Sequence, residues 1–235
     1  MKSSEEIFYE KHNRKQNLIF RKNLKKIERD YFFSNKRYSI IKNILNKNKK
    51  YNLLVEIGAG RAETLYYLNN KFKFNKLIGF DVVKFNSIKN KRIKLKKTNL
   101  NNNFPLKSNS VDCFIAMMVI EHLFDPFHSF SEINRVLKKD GLAFINLPLI
   151  SSLKNRLRLL FGKIPVTSVS YNQWFKDKEW DGNHLHYFTL NSIYRICAIN
   201  NLKIIKLNPV GNFYFIKKIF PSLFSNEISF CVKKI

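Results

Sequence analysis

The segment Leu53–Leu68 constrains the fold more than any other part of the chain. It begins with an apolar run, passes through Gly58 and Gly60, and then takes on helical periodicity, with Leu65 and Leu68 on one face. This order predicts a β-strand, a tight glycine turn and the amino end of a helix, where backbone N–H groups can approach a bound ligand closely.

A second apolar strand ends at Asp81, at the distance where a carboxylate can hold the hydroxyl pair of a ribose. The pattern favours a nucleoside cofactor, with an ordinary βα turn as the alternative. A dinucleotide is disfavoured because Glu63 stands where that fingerprint has its third glycine, and a carboxylate there would repel a diphosphate. Glu56 and Asp81 suit S-adenosylmethionine better, since its sulfonium and amino groups are cationic.

Further motifs follow in a fixed order downstream of the glycine turn. They are Phe104-Pro105-Leu106 with Asn109–Asp112, Val119–Leu123 with Asp125-Pro126, Glu132–Gly141, and His184–Thr189. Together with Glu56-x-Gly58-x-Gly60 and Asp81, this series resembles class I S-adenosylmethionine-dependent methyltransferases, and within them the type 11, quinone-biosynthesis-like small-molecule subfamily. The resemblance extends roughly from Leu53 to Leu202.

The resemblance implies a Rossmann-like, doubly wound α/β fold with a mostly parallel seven-stranded sheet. Apolar strand and helix segments alternate as that fold requires. The predicted segments are Leu53–Ile57, Ala62–Leu68, Lys76–Phe80, Ile93–Lys97, Val111–Met117, Pro126–Leu137 and Leu142–Leu147, followed by closing antiparallel strands at Leu202–Leu207 and Glu227–Lys233. We predict an N-terminal helical extension or lid at 1–50 and a methyltransferase domain at 51–235. Within that domain, a helical and aromatic insertion after strand five, 149–188, would cover the substrate.

The resemblance also implies a cofactor site at the ends of the first strands. In it, Glu56 orients the methionine end of the cofactor and Asp81 holds the ribose. Asn99 replaces the acid that usually meets the adenine amino group, and its amide oxygen can accept the same hydrogen bond. Ala62 replaces the third glycine of the first motif. The predicted cofactor-binding residues are Glu56, Gly58, Ala59, Gly60, Asp81, Val82, Asn99, Leu100 and Met117.

His122 follows strand four, where an acceptor would approach the methyl group, and we predict that it is the general base. A structural hydrogen bond to a neighbouring loop is the alternative. Glu121 would orient His122 or hold the substrate. His184 and His186 share one face of an extended segment, but no carboxylate or thiol lies at ligand spacing, so we expect no metal. The predicted substrate-binding residues are His184, His186, Tyr187 and Trp174, with surface or helix-capping histidines as the alternative for the pair.

The net charge of +26, from 43 Lys and Arg against 17 Asp and Glu, indicates either a polyanionic partner or a compositional bias. We favour bias, because the lysines are spread along the whole chain and no arginine cluster is present. The basic amphipathic segment Ser151–Phe161 fits a substrate lid, a docked helix or a peripheral membrane contact. The sequence does not indicate an oligomeric state.

The three cysteines, Cys113, Cys197 and Cys231, lie in apolar patterns, which predicts buried reduced thiols. The N-terminus is polar and no apolar run approaches the length of a membrane span, so we expect a cytoplasmic protein.

The predicted function is methyl transfer from S-adenosylmethionine to a small-molecule acceptor, at an oxygen of a quinone precursor, a sugar or another metabolite. An RNA methyltransferase is the first alternative. It is weakened because Ile120-Glu121-His122 stands where an Asn/Asp-Pro-Pro-aromatic box would bind planar amines. A non-catalytic, basic binding protein with the same fold is the second alternative.

Overall fold

The computed structural model describes residues 22–83, 90–168, 181 and 184–235, which form a layered α/β structure. Its seven-stranded sheet has the order β3-β2-β1-β4-β5-β7-β6. The strands are β1 Lys50–Ile57, β2 Lys73–Asp81, β3 Ile93–Lys97, β4 Val111–Met117, β5 Leu137–Pro148, β6 Leu202–Pro209 and β7 Glu227–Lys234. Strands β1 to β5 pair in parallel, and β7 is antiparallel to both β5 and β6. The predicted Rossmann-like fold is confirmed.

The helices of the described residues are short and belong to the two faces of the sheet. They are α1 Leu24–Ile27 with a π-helical turn at Glu28–Phe32, α2 Ser39–Ile44, α3 Glu63–Lys71, a 3₁₀ turn at Ile120–His122, α4 Pro126–Val136, α5 Leu153–Leu160, α6 Leu190–Ile199, α7 Tyr214–Ile219 and α8 Pro221–Phe224. Two separate hydrophobic clusters result, one with α4 and α6, the other with α3 and the N-terminal helices.

Strand β1 shows why the central strands are apolar runs rather than alternating patterns. Val55 and Ile57 are buried in the cluster of α4, whereas Leu54 is buried in the cluster of α3. A parallel strand covered on both faces needs apolar residues at successive positions. The glycine turn is therefore held on a strand that is fixed from both sides.

The starts of α4 and α6 are defined by capping side chains. Asp125 accepts a hydrogen bond from the backbone N–H of His128 at 3.0 Å, and Pro126 occupies the first turn of α4. Thr189 and Ser192 form a reciprocal capping box at α6. Each cap closely follows a segment that carries predicted catalytic or substrate residues, and so fixes where that segment ends.

Strand β5 begins earlier than the sequence predicted. It starts at Leu137, directly after α4, because Leu137 pairs with Val111 before the register shifts. The residues between Leu137 and Leu142 form a bulge. Gly141 lies in this bulge, where an added Cβ would come within 2.9 Å of the backbone oxygen of Val111.

The described part of the N-terminal extension is integral to the core. Ile27, Phe32 and Ile40 are buried, and the Phe32 ring stacks on Tyr67 of α3 with ring centroids 4.0 Å apart. Among the described residues, no helix is long and apolar enough to cross a membrane. Cys113, Cys197 and Cys231 are free thiols and buried, as predicted.

Helix α5, in the predicted insertion, exposes its apolar side chains. Leu160 and Phe161 are 75% and 72% exposed, and Leu153 and Leu157 are also exposed. Ser152 and Asn155, by contrast, are buried, and the Asn155 side chain accepts a hydrogen bond from the backbone N–H of Val166 at 3.1 Å. The helix therefore contacts the rest of the protein through polar side chains, and the docked helix, the lid and the peripheral membrane contact all stay predictions.

Candidate active site

The strand order reverses between β1 and β4, which opens a crevice at the carboxyl ends of these two strands. Glu56 and Ile57 pair with Ile115 and Ala116, so the two strands end close to one level. A Cβ added to Gly58 would lie 2.4 Å from Cγ2 of Val119. The glycine turn after β1 and the loop after β4 are thus in direct contact.

Both loops contain residues in left-handed backbone conformations. Gly58 and Gly60 have φ angles of 64° and 50°, and the non-glycine residues Ala62 and Met118 have φ angles of 65° and 57°. Non-glycine residues in this region store strain, which gathers at functional sites. Ala62 adopts a glycine-like conformation at the start of α3, consistent with its position as the third glycine of the motif.

Asp81 ends β2 with its carboxylate turned toward the glycine turn. Its oxygens accept hydrogen bonds from the backbone N–H groups of Gly60 at 2.9 Å and of Val83 at 3.0 Å. Burial raises the pKa of Asp81, while hydrogen bonds from Val83, Gly60 and Val82 oppose the rise. The predicted ribose-binding carboxylate is therefore held in place by backbone groups.

Glu56 lies beneath the turn and is 3% exposed. Burial raises the pKa of Glu56 well above its ordinary value; a hydrogen bond from Thr64 opposes this, and the charge of Asp81 adds to it. Within the described parts of the chain, the Oε2 atom of Glu56 has no hydrogen-bond partner. A buried acceptor in this state is complementary to a cationic or N–H-bearing group in the crevice.

The N-terminal extension reaches this side of the crevice. The Tyr31 hydroxyl donates a hydrogen bond to Glu63 at 3.0 Å. Tyr38 interacts with Thr64 and with the charge of Glu56, and burial raises the pKa of the Tyr38 phenol. The described part of the extension therefore packs around the first turn of α3.

The amide oxygen of Asn99, which was predicted to meet the adenine amino group, is bonded inside its own loop. Its Oδ1 atom accepts hydrogen bonds from the backbone N–H and the side-chain amide of Asn101, at 3.0 and 3.2 Å. Asn101 in turn accepts from the N–H of Phe124 at 2.7 Å. Both lone pairs predicted to be available to adenine are thus used inside the loop. Two further predicted cofactor contacts, Leu100 and Met117, are buried, and the Ala59 N–H donates to the Phe80 oxygen.

A second buried carboxylate follows β4. Glu121 is fully buried, and neither of its side-chain oxygens has a hydrogen-bond partner among the described residues. Burial raises the pKa of Glu121 to about 8. The His122 side chain is 23% exposed, with its Nε2 atom 4.0 Å from Glu121 Oε1.

The segment that begins at His184 returns to this point. The backbone N–H groups of Leu185 and His186 donate to the Glu121 carbonyl oxygen at 2.9 and 3.2 Å. His184 packs edge-on against His122 with ring centroids 4.8 Å apart, and its Nε2 atom lies 3.9 Å from Glu121 Oε1. The fold therefore brings His184 to the two predicted catalytic residues.

The other predicted substrate residues do not join this cluster. The Nε2 atom of His186 is 3.1 Å from the backbone oxygen of Phe124, and Tyr187 is exposed. Trp174 lies outside the described residues.

Thr167 and Asp181 were missed by the sequence analysis. The Thr167 hydroxyl lies 2.7 Å from Nδ1 of His184 and also donates to Asp181. Burial lowers the pKa of His184 to about 4. Burial alone would raise the pKa of Asp181, but hydrogen bonds from Ser168 and Thr167 lower it below its ordinary value. Neither residue belongs to a motif, so no sequence signal marks them.

A family model described as a methyltransferase domain matches residues 25–207. The chain belongs to this family. A comparison of the sequence with curated proteins finds no match. Family membership and the seven-stranded fold confirm that the chain is a class I S-adenosylmethionine-dependent methyltransferase, as the motifs predicted.

Solved structures with this fold include methyltransferases from distant organisms. A chain in a complex of the Haloferax volcanii Trm112 methyltransferase activator with a methyltransferase is 11% identical, with a TM-score of 0.64 and coverage of 99% of this chain and 98% of that one. An S-adenosylmethionine-dependent methyltransferase from Mesorhizobium loti is 10% identical, with a TM-score of 0.61 over 84% and 97% of the chains. The 1,6-didemethyltoxoflavin-N1-methyltransferase of Burkholderia thailandensis, with bound 1,6-didemethyltoxoflavin and S-adenosylhomocysteine, is 10% identical, with a TM-score of 0.56 over 98% and 86%. At these identities the likeness concerns the fold.

Proposed function

We propose that this methyltransferase acts on an oxygen of a small-molecule acceptor, such as a quinone precursor, a sugar or another metabolite. One observation carries the proposal. The glycine turn and the loop with Glu121 and His122 face each other across a single crevice, with Gly58 against Val119. A methyl donor on one side and an acceptor on the other would be within transfer distance.

The residues at the glycine turn fit S-adenosylmethionine, because the buried Glu56 Oε2 lacks a partner among the described residues and Asp81 faces the turn. Glu56 would hold the amino end of the cofactor and Asp81 the ribose. When bound, the cofactor supplies a methyl group on a positively charged sulfur, which keeps the electron pair of the broken C–S bond. The other proposed contacts are Gly58, Ala59, Gly60, Val82, Leu100 and Met117. Asn99 joins them when its amide oxygen exchanges a bond to Asn101 for one to the adenine amino group.

His122 is the proposed general base in the metal-free protein. Its partly exposed imidazole takes the proton from the acceptor hydroxyl, and the acceptor oxygen then forms the new C–O bond. Glu121 orients the imidazole or holds the acceptor. Orientation alone contributes about 7–11 kcal/mol to such a reaction, and a general base adds a factor of roughly 10² to 10⁴. His184, His186, Tyr187 and Trp174 are the proposed acceptor contacts.

We also propose that residues 149–188 cover the acceptor. Thr167 and Asp181, both in this segment, reach His184 at the edge of the crevice. The exposed apolar side chains of α5 leave a peripheral contact with an anionic membrane as a second role. Cosedimentation with anionic and neutral vesicles distinguishes the two, since a cover binds neither.

An RNA acceptor is the second candidate, and the net charge of +26 favours it. The 1,6-didemethyltoxoflavin enzyme gives independent support for a small molecule, because the same fold there holds a compact ring acceptor. The two candidates make different predictions about salt.

The first test is calorimetric titration of the full chain with S-adenosylhomocysteine, for which we expect one binding site. Transfer of labelled methyl groups is then measured with hydroxylated small molecules and with total RNA over a range of salt concentrations. Labelled metabolites with unlabelled RNA support the proposal, whereas salt-sensitive RNA labelling supports the alternative. Absence of S-adenosylhomocysteine binding would contradict the cofactor assignments.

With an acceptor in hand, His122→Asn tests the base. Turnover should fall by a factor of roughly 10² to 10⁴, while affinity for S-adenosylhomocysteine stays within about twofold. Full turnover in this variant would show that His122 is not the general base.

A further inference from the structure

Three side chains beside the crevice form a cluster with the chemistry of a metal site. One ligand atom from each of Glu121, His122 and His184 lies within 4.8 Å of the others. Glu121 and His122 come from the turn after β4, whereas His184 comes from the segment that hydrogen-bonds back to the Glu121 carbonyl.

The hydrogen bonds behind His184 fix which of its ring nitrogens carries the proton. Thr167 has one hydroxyl proton, which it donates to Asp181, a carboxylate that also accepts the Thr167 and Ser168 N–H groups. The Thr167 oxygen must therefore accept its bond with His184 Nδ1, so Nδ1 carries the proton. The Nε2 atom of His184 consequently carries a lone pair and no proton, and it lies 3.9 Å from Glu121 Oε1.

Two hydrogen-bond acceptors, Glu121 Oε1 and His184 Nε2, therefore lie near each other in a buried site. The Glu121 side chain is 0% exposed and its two oxygens have no hydrogen-bond partner in the described ranges, while the His184 side chain is 3% exposed. At 3.9 Å, the separation is too long for a direct hydrogen bond. A buried carboxylate without a partner is costly, so the cluster requires a cation or a proton at its centre.

The donor set and its spacing fit a transition metal better than a lone proton. Two imidazole nitrogens and one carboxylate oxygen are the protein ligands of many catalytic zinc sites, which leave a fourth position open. Ligands about 2.0–2.2 Å from a tetrahedral ion lie about 3.3–3.6 Å apart. The two Glu121–imidazole separations, 3.9 and 4.0 Å, need only small side-chain rotations to reach that range. The two histidine ligand atoms, which lie within 4.8 Å of each other, need a larger one.

We infer that Glu121, His122 and His184 bind one divalent transition-metal ion of the zinc class. Asp181 and Thr167 position His184 behind it, as carboxylates position metal-binding histidines elsewhere. The His122 side chain is 23% exposed, so an ion at this cluster would be accessible from solvent.

A metal site here differs from the sequence prediction of no metal. Along the chain, His184 and His186 have no carboxylate at ligand spacing. In the fold, His186 is bonded to the Phe124 oxygen, His122 stands in its place, and Glu121 supplies the carboxylate.

A consequence for the reaction rests on the proposed function. With an ion bound, His122 would be a ligand rather than the base, and the acceptor oxygen would take the open position. The ion would supply Lewis acidity that lowers the pKa of the acceptor hydroxyl, so that its proton passes to solvent. The oxygen would then bond to the methyl carbon while the C–S bond of the cofactor breaks and the sulfur keeps the electron pair. Acceptors with an oxygen that can ligate a metal, such as a catechol or a hydroxyquinone, are the substrate class that this site selects.

The test uses the full chain, without an affinity tag, after treatment with a chelator. Calorimetric titration with Zn²⁺ should show one Zn²⁺ ion bound per chain. Bound Co²⁺ should give visible absorption bands that disappear when Zn²⁺ displaces the Co²⁺. Glu121→Gln, His122→Asn and His184→Asn should each weaken Zn²⁺ binding at least about 100-fold, and Thr167→Val about 10- to 100-fold. His128→Asn, which also removes one histidine, should leave binding unchanged.

Thermal melts followed by circular dichroism identify variants that are unfolded. If the buried Glu121→Gln variant does not fold, the test is made with His122→Asn, at a partly exposed residue, and with Thr167→Val, at a residue that does not bind the metal itself. No stoichiometric Zn²⁺ binding by the wild type, or equal affinity in the ligand variants and His128→Asn, would overturn the site.

The same samples are titrated with S-adenosylhomocysteine. If the wild type binds S-adenosylhomocysteine but not Zn²⁺, only the metal site is refuted. If it binds Zn²⁺ but not S-adenosylhomocysteine, only the cofactor assignments are refuted.

Discussion

The two carboxylates at the crevice, Glu56 below the glycine turn and Glu121 after β4, share burial and a raised pKa but have different neighbours. Glu56 receives a hydrogen bond from Thr64 and lies near Asp81. Glu121 faces two imidazoles and has no hydrogen-bonded partner in the described part of the chain.

The difference teaches that burial alone does not determine the ligand of an acid. Beside a glycine turn, with backbone N–H groups and a second acid, Glu56 complements a large organic cation. Beside two nitrogen donors, Glu121 complements a compact inorganic one. On the proposed assignments, the crevice has a cofactor half that contains Glu56 and a metal half that contains Glu121.

The largest effect is expected at the contact between the halves. Gly58→Ala should lower the free energy of unfolding by about 2–4 kcal/mol, because it combines a left-handed backbone with a 2.4 Å clash against Val119. Denaturant titration measures this loss, and a second change, Val119→Ala, should recover the packing part.

Gly60→Ala is the matched control, since its φ is also positive but no atom lies within 4 Å of the added Cβ. It should cost only about 1–2 kcal/mol. Equal losses at the two glycines would mean that the halves do not touch there.

Asp81→Ala should weaken S-adenosylhomocysteine binding at least tenfold, or about 1.4 kcal/mol, because the ribose loses its acceptor. Asp112→Ala serves as control. Asp112 also accepts two backbone N–H groups, from Asn52 and Leu53, but at the opposite end of the strands. Calorimetry that finds the same affinity for Asp81→Ala and the wild type would refute the ribose role.

Asn99→Asp should strengthen S-adenosylhomocysteine binding by about three- to fivefold, or about 0.6–1 kcal/mol. A carboxylate can keep the bonds to Asn101 with one oxygen and offer the other to the adenine amino group. Asn102→Asp adds the same charge at an exposed position and should change little. If both variants bind equally tightly, the gain is electrostatic and Asn99 has no special place.

The smallest effect is expected for Glu121→Gln on the cofactor half. Affinity for S-adenosylhomocysteine should change by less than about twofold, or about 0.4 kcal/mol, since Glu121 belongs to the other half. Glu56→Gln should do the opposite, with weaker S-adenosylhomocysteine binding and unchanged Zn²⁺ binding. Calorimetry with both ligands on both variants checks this, and crossed effects would show a single site.

The sequence predicted those features that depend on neighbouring residues. The strand, the glycine turn and Asp81 follow from local periodicity and turn chemistry, and the mostly parallel seven-stranded sheet agrees with the resemblance. The early start of β5 was missed because a bulge depends on pairing with Val111, which lies far along the chain.

The candidate site was predicted only in part for the same reason. Glu121 and His122 follow a strand and could be found from the motif. The contact of His184 with them, and its support by Thr167 and Asp181, joins three segments that share no pattern. The bonding of Asn99 within its own loop likewise depends on one rotamer choice, which residue type does not specify.

The contact at Gly58 has a consequence for how such enzymes diverge. At Gly58 only a hydrogen atom faces Val119, where any other residue would place a side chain. A relative with a larger residue at position 58 must have a smaller one at position 119, or the two loops must lie further apart. We therefore expect positions 58 and 119 to change together over evolution, although one lies in the turn after β1 and the other in the loop after β4.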